Sequence, residues 1–155
     1  MIKLLRVDHR LVHGQVVVSW FENVGANTIL VANDAVAGDE LRKSAIRLAK
    51  PENAKLVMKS VDDSIEAINS GVTDKYQMLI VVESVADAEK LIRGTQGKIT
   101  SLNLGGTKPR DGTKNYSKTI NLTELESDLL AGLQQDGVEV YIQQIPNESK
   151  QKFEK

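Results

Sequence analysis

The chain has 155 residues, the size of one domain whose core needs no cross-links. It is 41% hydrophobic and 26% charged, with 20 basic and 21 acidic residues, which excludes a disordered or fibrous chain and the broad positive field that nucleic-acid binding draws on. Cysteine is absent, so disulfides, thiolate catalysis and thiolate-bound metal are excluded as well.

Short apolar runs then alternate with helical segments. Met1–Val7 reads as a strand, and the apolar part of MIKLLRVDHRLVHG is too short and too interrupted by charge for a signal peptide. A helix follows over Gln15–Val24 and stops at Gly25. Asn27–Ala32 is the next strand, and Asn33–Gly38 a loop. Asp39 caps a second helix, which Pro51 closes just after Lys50. Ala54–Lys59 is a strand, and the Ser60/Asp63 spacing opens a helix that ends at Gly71. Tyr76–Val82 is a strand, with Ser84/Asp87 opening a helix that ends near Gly94. Lys98–Leu104 is a strand, followed by the turn-rich stretch Gly105–Asn115, which has no helical pattern.

Tyr116–Asn121 reads as a strand joined to the Lys98 strand without a crossover helix, as an antiparallel pair. Thr123/Glu126 opens a helix that ends at Gly137, Val138–Gln143 is a strand, and the polar tail Asn147–Lys155 reads as a frayed helix. Runs such as ILVA (Ile29–Ala32) and MLIVV (Met78–Val82) are apolar at every position, as in strands covered on both faces. The expected fold is α/β: a doubly wound, mostly parallel sheet of about seven strands with helices on both faces and one antiparallel strand near an edge. No stretch approaches the ~20 apolar residues that span a bilayer, so the chain reads as soluble and meets a membrane only through a partner.

Ligands in such sheets bind beyond the carboxyl ends of the strands, which directs attention to the loop after the first strand. Both histidines of the chain, His9 and His13, lie there, with Arg6, Asp8 and Arg10 around them and Gly14-Gln15 opening the helix. A helix N-terminus presents unpaired N–H donors and a partial charge of roughly +0.5, so phosphate is welcome there and a cationic imidazole is not. His13 therefore reads as a nitrogen nucleophile for phosphorus. Arg10 is a fork for the phosphoryl oxygens, Asp8 an acceptor that orients a ring N–H or the loop, and Gly14 a point of close backbone approach. Two other readings of this loop stay open: histidines that merely cap the helix, and a metal face built from His9, His13 and Asp8.

The absence of GxGxxG and of GxxxxGK[ST] argues against a nucleotide cofactor. Lys108, Arg110 and Lys114 would form a basic rim if the strands bearing them flank the first one. Trp20, two helical turns after His13, is expected to pack in the core. Asp34 and Asp39 flank Gly38 without a further acidic cluster, which argues against a Mg²⁺ site.

Arg6-Val7-Asp8-His9-Arg10-Leu11-Val12-His13-Gly14-Gln15-Val16 resembles the active loop, R-[IV]-D-x-R-L-[IVL]-H-G-Q-V, of the IIB components of the mannose/sorbose family of the bacterial sugar phosphotransferase system. Trp20, the VANDAVA stretch (Val31–Ala37) and Asn103-Leu104-Gly105-Gly106 agree, and the resemblance covers residues 1–155 as a single domain of that type.

The resemblance implies a cytoplasmic protein-histidine–sugar phosphotransferase. His13 would accept the phosphoryl group, through Nδ1, from a histidine of a IIA component and pass it to a sugar held by the membrane components IIC and IID. Arg10 corresponds to the family's loop arginine and Asp8 to its loop aspartate, with Gly14 and Gln15 at the phosphate. His9 falls at the variable position of the loop. Thr107 stands where many relatives carry an apolar residue. No cofactor, metal or nucleic acid is implied; association with the membrane would be peripheral, through IIC and IID, and a homodimer is left open. The sugar is chosen by the membrane components and is not written in this chain.

Overall fold

The runs that are apolar at every position are strands buried on both faces: all five residues of Thr28–Ala32 and of Met78–Val82 are inaccessible. They lie inside the sheet of a computed structural model that describes residues 1–155. In chain order the elements are β1 (Ile2–Asp8), α1 (Gly14–Asn23), β2 (Thr28–Ala32), α2 (Asp34–Ala37), α3 (Glu40–Ala49), β3 (Lys55–Lys59), α4 (Val61–Ser70), β4 (Met78–Val82), α5 (Val85–Gly94), β5 (Ser101–Gly106), β6 (Lys114–Asn115), β7 (Asn121–Leu122), α6 (Glu124–Gln135), β8 (Glu139–Ile142) and β9 (Gln151–Lys152). The main sheet has seven strands in the order β3-β2-β4-β1-β5-β8-β9. Every neighbouring pair is parallel except β8 with β9.

Each face of the sheet buries its own core. Leu4, Ile29, Val31, Leu79 and Val81 meet Val17, Trp20 and Phe21 of α1 and Ile46 of α3. On the opposite face Leu5, Val7, Ile80, Val82, Leu102 and Leu104 meet the apolar sides of α4, α5 and α6. The chain leaving β1 thus turns to one face, while the chain leaving each flanking strand, β4 and β5, reaches its next helix on the other. That divergence opens a crevice at the carboxyl end of β1, where open α/β sheets hold their ligands.

The expected caps are present. Ser60 and Ser84 accept from the N–H groups of Asp63 and Asp87, and Asp39 accepts from that of Arg42. Thr123 and Glu126 form a complete capping box, with Thr123 Oγ1 accepting from Glu126 N at 3.1 Å and Glu126 Oε1 accepting from Thr123 N at 2.9 Å. Thr123→Ala removes one half of this box. It is expected to cost about 1 kcal/mol, seen in thermal unfolding as a fall in Tm of about 2–4 °C.

Three expectations are corrected. Asn33–Gly38 is not all loop: Asn33 Oδ1 accepts from Val36 N at 2.9 Å and caps the single helical turn α2. Tyr116–Asn121 is not a strand of the main sheet, and no antiparallel pairing with β5 forms. Two short strands, β6 just before it and β7 beginning at its last residue, pair only with each other, and Tyr116 N donates to Ile120 O at 2.8 Å to close a turn between them. The two apolar residues that suggested a strand are both drawn inward, but Ser117, Lys118 and Thr119 form the tip of a turn between them.

The tail is not a frayed helix but supplies the antiparallel edge strand, β9. The cause is Phe153, fully buried against Tyr116 with ring centroids 5.5 Å apart. Its backbone N–H donates to Val140 O at 2.9 Å, and its carbonyl accepts from Gln134 Nε2 at 2.7 Å.

Candidate functional site

Strand alternation sends Leu5 and Val7 of β1 toward α5 and sends Leu4, Arg6 and Asp8 toward α1. Arg6 and Asp8 are only 2% exposed, so their charges must be met inside the protein. The Arg6 guanidinium donates to Asn103 Oδ1 (2.7 Å), to Gln143 O (3.2 Å) and to Asp8 Oδ2 (3.2 Å). It also lies over the Trp20 ring at 5.4 Å from the centroid. Asn103 Nδ2 donates to Gln143 O (3.0 Å), and Trp20 Nε1 to Gln144 O (2.9 Å), tying the segment after β8 to the same cluster. Burial lowers the Arg6 pKa from its ordinary value, and Asp8 opposes the shift. Gly105 makes room for the cluster, because a Cβ there would fall on the guanidinium of Arg6.

Above this floor the loop is folded around Asp8. Its Oδ1 accepts from Arg10 N (3.0 Å) and Arg10 Nε (3.2 Å), and its Oδ2 accepts from Arg10 Nη2 (3.4 Å) as well as from Arg6. Leu11 N donates to Asp8 O (2.9 Å), and His9 N to Gly106 O (2.9 Å). Asp8 receives no ring N–H; His9 Nδ1 is 4.0 Å away. Leu11 has φ +58° although it is not glycine, a strained backbone held by that bond and by the burial of its side chain. Gly14 has φ +52°, a value suited to glycine, and the space where its Cβ would point is open.

Between these two left-handed residues the chain turns outward and presents His13. The histidine is the N-cap of α1, is exposed, and makes no side-chain capping bond. No acidic residue stands in the first turn of α1, so the helix itself leaves its positive end unneutralised. A neutral imidazole with an accessible nitrogen beside free amide donors can attack phosphorus with its lone pair and hold the incoming oxygens.

The remaining expected residues are more scattered. Gln15 lines a shallow cleft between α1 and the segment Ile145–Asn147. Lys108 and Arg110 do reach the first loop, because β5 lies beside β1, and they line a polar cleft of about 330 Å³ with His9, Glu83, Ser84, Thr107 and Glu126. Arg110 is held there by Glu126 (2.9 Å). Lys114 lies apart in β6, 5.3 Å over the Tyr116 ring. Asp34 accepts from Val61 N (2.9 Å) and Asp39 caps α3, so both act in the fold. No three His, Asp or Glu side chains converge as a metal site would require. Asn103 and Gly105, which the resemblance marked without a role, and the Gln143 carbonyl, which nothing marked, belong to the site. A charged residue in the middle of the apolar run LLRV was the signal that such partners had to exist.

The family profile described as PTS system sorbose subfamily IIB component matches residues 2–155. The chain is 31% identical over 147 residues to the N-acetylgalactosamine-specific phosphotransferase enzyme IIB component 2 of Escherichia coli (strain K12), covering 95% of this chain and 92% of that one. It is 28% identical over 153 residues to the PTS system mannose-specific EIIAB component of the same strain, covering 99% of this chain and 47% of that one. The crystal structure of the IIBSor domain of the sorbose permease from Klebsiella pneumoniae superposes with a TM-score of 0.90 at 26% identity, covering 97% of this chain and 91% of that one.

Proposed function

The chain belongs to the sorbose subfamily of phosphotransferase-system IIB components, the phosphocarriers of sugar uptake, and from that premise we propose that His13 is the residue that carries its phosphoryl group. The observation behind the assignment is the exposed imidazole of His13, without a capping bond, at the N-terminus of α1, whose first turn holds no acidic residue. In the proposed reaction a ring nitrogen of His13 attacks the phosphorus of a phosphohistidine on a IIA component. The bond to the donor nitrogen breaks, and the phosphoryl group moves without a general base. The amides of Gly14 and Gln15 and the guanidinium of Arg10 neutralise the oxygens in flight. Asp8 holds the loop that aims them. In the second step a hydroxyl of a sugar bound by IIC and IID attacks the phosphorus and gives its proton to a base at the sugar site, and the bond to the ring nitrogen breaks to leave His13 as free imidazole. In this reading the protein works in the cytoplasm, peripheral to its membrane partners. The EIIAB relative, which carries A and B components in one chain, supports IIA as the donor.

The test is transfer from phosphoenolpyruvate through the general phosphotransferase proteins and a IIA component of the same subfamily. The chain is expected to gain one acid-labile phosphoryl group and to lose it to sugar when vesicles bearing matched IIC and IID are added. An acid-stable phosphate, or no uptake from any of several subfamily IIA components, contradicts the reading. Arg10→Lys keeps a charge but loses the planar fork. It is expected to slow uptake about tenfold with Tm nearly unchanged, measured by rapid-quench transfer from phosphorylated IIA.

A further inference from the structure

One polar atom beside the bonded loop has no partner. Nδ1 of His9 is buried and makes no hydrogen bond. The residue is firmly seated, with its backbone N–H on Gly106 O at 2.9 Å and its ring close over Gly106, where a Cβ would lie 3.5 Å from Nδ1. That nitrogen stands 4.0 Å from Asp8 Oδ1, the same oxygen that accepts from Arg10 N and Arg10 Nε. The other carboxylates near the His9 ring are engaged elsewhere. Glu83 pairs with Arg42 at 3.4 Å, and Glu126 holds Arg110 and caps α6. Asp8 is therefore the acceptor toward which His9 Nδ1 can close.

We propose that His9 and Arg10 alternate on Asp8. The proposal rests on the reading of His13 and Arg10 given above. When the Arg10 guanidinium turns to a phosphoryl group on His13, it withdraws two of the four donors on Asp8, leaving Oδ1 with Arg10 N alone and Oδ2 with Arg6 alone. His9 then takes the Nδ1–H tautomer, exchanging its ring proton through solvent at Nε2, and moves about 1 Å to donate to Oδ1. The backbone bond from Arg10 N to Oδ1 stays in place throughout, so the loop keeps its shape while the side chain above it is released. His9 is thus a positioning residue, acting on the phosphoryl group through Asp8 and Arg10.

The ¹⁵N shifts of the His9 ring report which nitrogen carries the proton. In a tag-free His13→Ala protein His9 is the one imidazole left, since the chain has two histidines. Adding Arg10→Ala imitates departure of the guanidinium without any phosphoryl chemistry. In mildly alkaline solution the tautomer ratio is expected to move about tenfold or more toward Nδ1–H, as a hydrogen bond to a charged acceptor would impose. A further Asp8→Asn substitution is expected to cancel the shift.

An unchanged ratio in the Arg10→Ala protein, or a shift that survives Asp8→Asn, overturns the proposal. Should Asp8→Asn fail to fold, the Arg10→Ala protein decides alone. A hydrogen-bonded, slowly exchanging Nδ1–H proton supports the alternation, and its absence refutes it. None of these proteins is phosphorylated, so a negative result leaves His13 as acceptor untouched. An error in that assignment shows instead in the uptake assay.

Discussion

Arg6→Ala is expected to destabilise the protein by about 3–5 kcal/mol, the range found when one member of a buried charged pair is removed. For a chain of this length that is a fall in Tm on the order of 10 °C. The guanidinium satisfies four things at once: the Asp8 carboxylate, the Asn103 side-chain oxygen, the Gln143 carbonyl and the face of Trp20. Its removal leaves three acceptors short of a donor and a void beside Gly105, where a backbone without Cβ had closed onto it. Arg10 still reaches Asp8 in the variant, but from a side chain one-third exposed, which partly screens it. Thermal and denaturant unfolding measure the loss. A change below about 1 kcal/mol would mean that the floor of the loop is not held as described.

His13→Ala is expected to have the opposite profile: no phosphoryl uptake, with stability unchanged to within about 0.5 kcal/mol. The imidazole is exposed and contributes no capping bond, so alanine removes no contact from α1. The bonds that shape the loop come from Asp8, Arg10 N, Leu11 N and His9 N, and none passes through the His13 side chain. A stable protein without uptake separates chemistry from folding, which Arg6→Ala cannot do. A substantial fall in stability would show instead that His13 is part of the scaffold.

The features legible in the sequence were those whose cause is local. ILVA and MLIVV announce doubly covered strands by being apolar throughout, and Ser60, Ser84 and Thr123 announce helix starts by the residue three positions on. The loop from Asp8 to Gln15 could be grouped because its members are contiguous. What could not be read is what tertiary packing decides. Phe153 converts a polar tail into an edge strand because the wall that receives it is formed by residues far away in the chain, Tyr116 among them. Asn103, Gly105 and Gln143 join the site only because the order β1-β5-β8 sets their segments beside Arg6. Tyr116 and Ile120 at the ends of 116–121 suggested a strand, yet a turn at Ser117–Thr119 brings Ile120 into the core and half-buries Tyr116.

The central claim, a phosphocarrier acting through His13, is tested most directly by intact mass. Wild type, His9→Ala and His13→Ala are each incubated with phosphoenolpyruvate, the general phosphotransferase proteins and a subfamily IIA component. A single acid-labile phosphoryl group on wild type and His9→Ala, and none on His13→Ala, is the predicted result. A phosphoryl group that persists on His13→Ala, or one lost only from His9→Ala, would contradict it.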